Sequence, residues 1–215
     1  CATGLLGHAR TFRGSDSLVV PPAALAAISN QVAISFWQYG ATNQPRNNAC
    51  LGGSSSVGSE FSVYLPWGDG NVYWDAFGNY DRINKAAASN LYKGAWNHWT
   101  FVKDRTNGTM RIYVNGEPWH SGTGKTRAYT PVTAFRFGAG ASGSYGYMGT
   151  LDELRVETAA PSAAAVRFQY RTMADRALVY GEQRVAIESA AAAAEPDQAG
   201  SFTITRVSEV TNLPL

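Results

Sequence analysis

Charged residues, cysteines and long apolar runs are all scarce in this sequence. Asp, Glu, Lys and Arg make up 16% of the 215 residues, and the formal net charge is +2. No cluster of lysine and arginine is present, which argues against the electrostatic contacts that nucleic-acid binding requires. Polar residues interrupt every apolar stretch well before the roughly 18–20 residues that cross a bilayer. The sequence therefore predicts neither a nucleic-acid partner nor a membrane span.

The two cysteines and three histidines do not form a recognisable metal or redox motif. Cys1 and Cys50 fit neither a disulfide framework nor a zinc pattern, and their spacing leaves open whether they pair or whether Cys50 is a buried thiol. The histidines lack the spacing of metal hydrolases, and the Gly-x-Ser-x-Gly turn of serine hydrolases is absent. The chain begins at Cys1 without an initiator methionine or an apolar signal segment, as expected of an excised piece of a longer protein.

Glycine, proline and aromatic residues are abundant, which is typical of short strands joined by turns. The chain has 22 glycines, 9 prolines, 6 tryptophans, 11 tyrosines and 9 phenylalanines. Residues 32–37 alternate apolar and polar side chains, as a half-buried strand requires. Residues 61–65 and 72–74 flank a Gly-Asp-Gly turn, and residues 96–117 contain two Asn-Gly turns, so both regions are predicted to form hairpins. The residues that this alternation assigns to the core are Val32, Ile34, Phe36, Met110, Ile112 and Val114.

The C-terminal part of the chain has a different composition. Pro161 is expected to open a short helix near residues 161–172 that packs against the sheet. We interpret residues 1–182 as one β-domain, 183–200 as an alanine-rich and acidic linker, and 201–215 as the first strand or strands of a following β-domain. Because no preceding strand offers itself as a partner, the strand from Ser201 to Val207 is expected to pair with another β-edge.

Four segments resemble, in order and spacing, the bacterial laminin G-like, concanavalin A-like jelly-roll domain. They are residues 9–20, residues 34–37, the Trp96-Asn97-His98-Trp99 string with residues 110–116, and residues 149–156. The resemblance extends over about residues 5–182 and implies a sandwich of two antiparallel sheets. Residues 185–215 resemble, less specifically, the opening of a Calx-β repeat. Together these resemblances imply a slice of a larger bacterial surface or secreted protein, with neighbouring β-domains of the parent chain as partners.

Asp152 is the best metal candidate in the sequence. It shares strand parity with Leu154 and Val156, so its carboxylate is predicted to start a buried face and to need backbone N–H donors or a cation. In the resembling family a structural calcium ion often lies at this position. The resemblance implies that oxygens from the loop of Gly14, Asp16 and Ser17 would complete its coordination, because Ca²⁺ prefers oxygen ligands. Capping of loop amides without a metal remains the alternative.

Exposed aromatic rings beside polar groups are typical of carbohydrate sites, and two regions have this pattern. The first region contributes Trp74, Asp75, Tyr80, Asp81 and Arg82 as candidate ligand-binding residues. The second region contributes Trp119, Tyr145 and Tyr147. The alternative for both regions is that the aromatic side chains simply cover the ends of the sandwich.

The sequence favours binding over catalysis. Some concanavalin A-like folds are glucanases, but their paired carboxylates in a Glu-x-Asp-x-x-Glu string are absent, so no enzyme activity is predicted. We expect a non-catalytic binding or adhesion module, extracellular or at the cell surface, with a glycan or cell-surface polysaccharide as ligand. One alternative is a purely structural spacer in a multidomain adhesin. A concanavalin A-like glycoside hydrolase is a third, disfavoured alternative.

Overall fold

The computed structural model describes residues 2–5, 7–78 and 81–174, and the backbone of residues 184–191 and 201–207. The chain divides into two compact units, Cys1–Ala174 and Asp175–Leu215. No helix in the described ranges is long and apolar enough to cross a membrane.

The first unit is a sandwich of two antiparallel sheets. Its strands are β1 (Ala2–Thr3), β2 (His8–Arg13), β3 (Leu18–Val20), β4 (Gln31–Gly40), β5 (Leu51–Ser55), β6 (Gly58–Tyr64), β7 (Asn71–Ala76), β8 (Arg82–Ala86), β9 (Asn97–Asp104), β10 (Thr109–Val114), β11 (Glu117–Gly122), β12 (Ala134–Phe137) and β13 (Met148–Glu157). One sheet has the order β1-β2-β13-β4-β9-β10-β11, and the other has the order β3-β12-β5-β6-β7-β8. The predicted all-β jelly-roll sandwich is confirmed.

The core lies between the two sheets and follows the predicted alternation. Val32, Ile34 and Phe36 on β4 are fully buried, and so are Met110 and Ile112 on β10. Stacked and edge-on aromatic rings, which are favoured over face-to-face sandwiches, fill much of this core. Cys50, directly before β5, is a buried free thiol, whereas Cys1 lies outside the described residues.

One helix, α1 (Ala163–Met173), covers the outer face of the seven-stranded sheet. The Ser162 hydroxyl caps its N-terminus by accepting the Ala165 N–H at 3.2 Å, as N-cap serines commonly do. Val166 is fully buried against Val102 and Tyr113 of the sheet. The helix predicted near 161–172 is therefore confirmed, beginning two residues later.

The second unit contains a two-stranded antiparallel sheet of β14 (Arg184–Ala191) and β15 (Ser201–Val207), in which Ile187 is opposite Ile204. The prediction of an extended strand at 201–207 is confirmed. The interpretation of 183–200 as a linker is wrong for residues 184–191, which form the partner strand of β15. The alternation of Val185 and Ile187 was not recognised as a strand because β14 ends in a run of alanines. The domain boundaries and the Calx-β resemblance remain predictions.

Candidate functional site

A pocket of about 330 Å³ opens on the outer face of the six-stranded sheet. We call it the aromatic pocket; its lining residues are Tyr64, Trp67, Tyr73, Arg82 and Tyr145. Tyr64 on β6 and Tyr73 on β7 are directly opposite each other. Their sequence neighbours Val63 and Val72 are fully buried in the core. Because side chains alternate along a strand, the two tyrosines point to the outer face.

The rings of the pocket support one another by edge-to-face contacts. Tyr64 lies 4.9 Å from Trp67 and 6.1 Å from Tyr73, measured between ring centroids, and Trp67 lies 5.3 Å from Tyr145. Tyr145 is 57% exposed, and Tyr64 and Trp67 are half-buried. The pocket therefore combines fixed ring positions with aromatic surface that a ligand can reach.

The loop between β12 and β13 carries Tyr145 to the pocket. This loop crosses the outer face at Gly52 of β5, where a Cβ atom would lie 2.4 Å from the backbone nitrogen of Ala141. Only glycine permits so close an approach of two backbones. The Ala49 N–H donates to the Tyr145 carbonyl oxygen at 2.8 Å, which fixes the end of the loop. Tyr145 itself has a left-handed backbone with φ of 56°.

Arg82 is held in the pocket by a two-point ion pair with Asp75. Arg82 Nε donates to Asp75 Oδ1 at 2.6 Å, and Nη2 donates to Oδ2 at 2.7 Å. The Arg82 Cζ lies 5.1 Å from the centroid of the Tyr73 ring. Burial raises the pKa of the Asp75 carboxyl, an effect that Arg82 opposes, and the same pair raises the pKa of Arg82.

Tyr73 is also fixed, through a hydrogen bond to the β6–β7 turn. Its hydroxyl donates to Asp69 Oδ2 at 2.6 Å, and Asp69 Oδ1 accepts the Asn71 N–H at 2.9 Å. The hydrogen bond from Tyr73 lowers the pKa of Asp69 and raises the pKa of Tyr73. Asp69 therefore adds a negative charge at the rim of the pocket.

The first predicted region is only partly at this site. Arg82 lines the pocket, and Asp75 holds it in place. Trp74 is a correction: it is fully buried in the core, and its indole N–H donates to the Val102 carbonyl oxygen at 3.2 Å. Asp81 is a second correction, because it is buried in an ion pair with Lys103. Tyr80 lies outside the described residues.

The second predicted region is not one site. Tyr145 lines the aromatic pocket, but Tyr147 is fully buried and accepts a hydrogen bond from Gln38 Nε2 at 2.7 Å. Burial raises the pKa of Tyr147 well above its usual value. Trp119 lies on β11, where it packs edge-on against Trp99 and lines a separate groove with His120. The proposal of a shared site for Trp119, Tyr145 and Tyr147 is therefore wrong.

The predicted ligand-binding residues did not include Tyr64, Trp67 or Tyr73, although Tyr73 begins the first predicted region. The signal for the two tyrosines was present in strand parity. Once Val63 and Val72 are assigned to the core, their neighbours must face outward, and the hairpin turn places the two neighbours side by side. Trp67 lies in that turn, where no periodic pattern applies.

The residues predicted to bind calcium have other partners. Asp152 is buried, and its Oδ2 accepts the Leu5 N–H at 3.1 Å while Oδ1 accepts the Glu153 N–H at 3.0 Å. Its predicted parity is wrong, because a bulge between Asp152 and Arg155 leaves Leu151 and Leu154 on the core side. The other residues predicted to bind calcium lie in the loop 14–17. Asp16 accepts the Arg13 N–H and pairs with Arg10 at 3.1 Å, Ser17 accepts from Arg136 at 3.1 Å, and Gly14 lies beside Met148.

These contacts correspond to the metal-free alternative, in which carboxylates cap backbone amides. No group of three or more His, Cys, Asp or Glu side chains that could hold a metal occurs in the part of the chain that the structure describes. Backbone N–H groups donate to the carboxylates of both Asp152 and Asp16, which stabilises them without an ion. The calcium site remains a prediction.

We accordingly expect chelation to leave the stability of the protein unchanged. Thermal unfolding with a calcium chelator and with added CaCl₂ should give the same melting temperature, because amide capping of Asp152 needs no ion. A rise in melting temperature that saturates with calcium would contradict this expectation and restore the calcium site.

Two solved structures of similar fold contain a bound oligosaccharide. One similar structure is domain 4 of AbnA, an extracellular GH43 arabinanase from Geobacillus stearothermophilus, in complex with arabinotriose; it is 21% identical, with a TM-score of 0.59 over 77% of this chain and 78% of that chain. Another is the CBM40 of the Ruminococcus gnavus IT-sialidase bound to α2,3-sialyllactose, 16% identical, with a TM-score of 0.58 over 75% of this chain and 97% of that chain. No curated protein sequence matches significantly.

The sequence also matches a laminin G family model described as the concanavalin A-like lectin/glucanases superfamily. The match extends over residues 12–167, from the end of β2 into helix α1, and so includes most strands of both sheets. The chain therefore belongs to the concanavalin A-like lectin/glucanases superfamily.

Proposed function

We propose that the chain is a non-catalytic glycan-binding module and that its ligand lies in the aromatic pocket. The observation that carries this proposal is the convergence of four aromatic side chains and one ion-paired arginine around a single pocket. Aromatic rings offer apolar faces to the C–H groups of a sugar, and flanking polar groups bind its hydroxyls. The arabinotriose and sialyllactose complexes of similar domains support the same class of ligand.

The polar groups of the pocket are suited to hydroxyl recognition. The Tyr73 hydroxyl donates its proton to Asp69, so its oxygen is available to accept a hydrogen bond from a ligand. Asp75 accepts hydrogen bonds from Nε and Nη2 of Arg82. We expect the remaining nitrogen, Nη1 of Arg82, to donate to a ligand hydroxyl. Donor and acceptor positions are thus fixed before a ligand arrives, which reduces the entropy lost on binding.

The pocket is not built for glycoside hydrolysis. A retaining glycosidase needs two carboxyl groups about 5–5.5 Å apart across the scissile bond. None of the described residues that line the pocket is a carboxylate. The nearby Asp75 and Asp69 are occupied by Arg82 and Tyr73. This arrangement supports a binding role rather than catalysis.

The wider proposal is a module of a larger protein that works outside the cell or at its surface. The arabinanase that carries one similar domain is itself extracellular. A cell-surface polysaccharide would then be the ligand, in a role such as adhesion, and neighbouring β-domains, including a Calx-β-like one from about residue 185, would connect the module to the rest of the protein.

Replacing Trp67 with alanine is expected to weaken glycan binding by at least about fivefold, because truncating a central aromatic anchor typically costs more than about 1 kcal/mol. Binding would be measured by retention in polysaccharide-containing gels and by a glycan array, followed by calorimetry on the best ligand. Phe168→Ala is the matched control, since Phe168 is an exposed aromatic residue on α1, outside the aromatic pocket. It should bind like the unchanged protein.

The experiment separates this function from that of a spacer. A structural spacer would show no retention on any polysaccharide, with or without Trp67. If the Trp67 variant instead binds a glycan as tightly as the Phe168 variant and the unchanged protein do, the ligand binds elsewhere.

A further inference from the structure

The charge of Arg82 is already neutralised inside the aromatic pocket. Of the described residues that line the pocket, Arg82 alone is charged. Both oxygens of Asp75 accept from its guanidinium group, at 2.6 and 2.7 Å, and the Asp75 side chain is only 2% exposed. An anionic ligand could pair with Arg82 only by sharing it with Asp75 or displacing it. Displacement would leave a buried carboxylate without its cation, which is costly.

A second negative charge lies close to the same rings. Asp69 is exposed, and its Oδ2 is 2.6 Å from the hydroxyl of Tyr73. Asp69 and Asp75 together carry two negative charges, whereas Arg82 carries one positive charge. A carboxylate in the pocket would therefore face a net repulsion, whereas hydroxyl groups would find both donors and acceptors.

We propose that the aromatic pocket selects neutral saccharides and rejects those that carry a carboxylate, such as uronic or sialic acid residues. This inference rests on the proposed function and defines its ligand class. Because the Arg82–Asp75 pair carries no net charge, Arg82 would serve as a hydrogen-bond donor to hydroxyl groups and not as an anion receptor.

The test compares each acidic glycan with a neutral counterpart that has the same number of sugar residues. Suitable probes are polygalacturonate against its fully methyl-esterified form, sialyllactose against its carboxyl-reduced form, and each acidic glycan of an array against its carboxyl-reduced form. We expect the neutral member of every bound pair to bind at least about tenfold more tightly. We also expect its affinity to stay constant as the salt concentration rises from about 0.05 M to about 0.5 M, since no net ionic contact is made.

A substitution tests the role of the ion pair itself. Asp75→Asn leaves the guanidinium charge of Arg82 uncompensated and should reduce the preference for neutral over acidic ligands by about tenfold. Glu117→Gln on β11 is the matched control, because it makes the same change of charge in the exposed ion pair between Glu117 and Arg167 on α1. If Asp75→Asn does not fold, the paired ligands and the salt series with the unchanged protein decide the question.

The outcomes distinguish this inference from the proposed function. Tighter binding of the acidic member of the bound pairs would overturn the selection of neutral saccharides while leaving glycan binding intact. An unchanged preference in a folded Asp75→Asn variant would overturn the explanation by charge neutralisation. Binding of no glycan of either kind would overturn the proposed function and this inference together.

Discussion

Replacing Lys103 with methionine is expected to lower the free energy of unfolding by about 3–5 kcal/mol, the usual effect of removing one partner of a buried ion pair. Lys103 on β9 is fully buried between the sheets. Its ammonium group donates to Asp81 and, at 2.7 Å, to the carbonyl oxygen of Lys125. Burial lowers the pKa of Lys103, and Asp81 opposes this shift. Methionine fills a similar space but leaves the Asp81 carboxylate without its cation.

Urea unfolding of matched variants would measure this effect. Arg10→Met removes the cation of an exposed ion pair with Asp16 and should change the stability by no more than about 1 kcal/mol. Combining Lys103→Met with Asp81→Asn should recover part of the loss, because no unpaired charge remains buried. A loss below about 1 kcal/mol for Lys103→Met alone would contradict the prediction. Since Asp81 directly precedes Arg82, this ion pair also fixes the start of β8 beside the pocket.

The protein is expected to lose up to about 3 kcal/mol of stability as the pH falls from 6.5 to 4, through protonation of His98. His98 is 1% exposed, and its ring lies 5.1 Å from that of Trp37 and 6.1 Å from that of Tyr170 on α1. Within the described part of the chain, neither ring nitrogen has a hydrogen-bond partner. Burial, aided by the charge of Arg155, lowers the pKa of His98 from 6.5 to about 4.

Stability falls as the pH falls because the pKa of His98 is lower in the folded state than in the unfolded state. The unfolded state takes up the proton near pH 6.5, whereas the folded state resists it until about pH 4. The contribution of neutral His98 is therefore complete above pH 6.5, is lost progressively toward pH 4 and is constant below it. His98→Phe should remove this part of the pH dependence, and His8→Asn, at an exposed position on β2, should keep it. Identical pH profiles of the unchanged protein and His98→Phe, measured by urea unfolding, would contradict the assignment.

The strands, their core faces and the turns could be predicted because the signals that specify them are local, whereas the two-sheet sandwich was implied by the resemblance of four segments to the concanavalin A-like domain. Alternation along residues 32–37 and 110–114 specified which side chains enter the core, since a strand with one buried face has a period of two residues. Turn residues such as Asn115 and Gly116, which both have positive φ, marked where the chain reverses. Each of these signals depends on neighbours a few residues apart.

The site could be predicted only in part because it depends on contacts between distant segments. Tyr145 approaches Trp67 because a loop crosses the sheet at Gly52, and no pattern near residue 145 specifies that path. The bulge after Asp152 inverted its parity, and Glu153 there has a left-handed backbone that local alternation does not reveal. Trp74 was chosen over Tyr73 because a large aromatic residue is equally typical of a core and of a sugar site.

The most direct test of glycan binding at the aromatic pocket is to map bound ligand by nuclear magnetic resonance. The chain would be titrated with the best neutral oligosaccharide from the array, while the side-chain N–H signals of Trp67 and Arg82 and the ring signals of Tyr64, Tyr73 and Tyr145 are followed. We predict that these signals shift together and saturate, while the indole signal of Trp119 in the separate groove stays in place. Shifts confined to Trp119 and His120, or no saturable shift with any glycan, would contradict the assignment of the pocket.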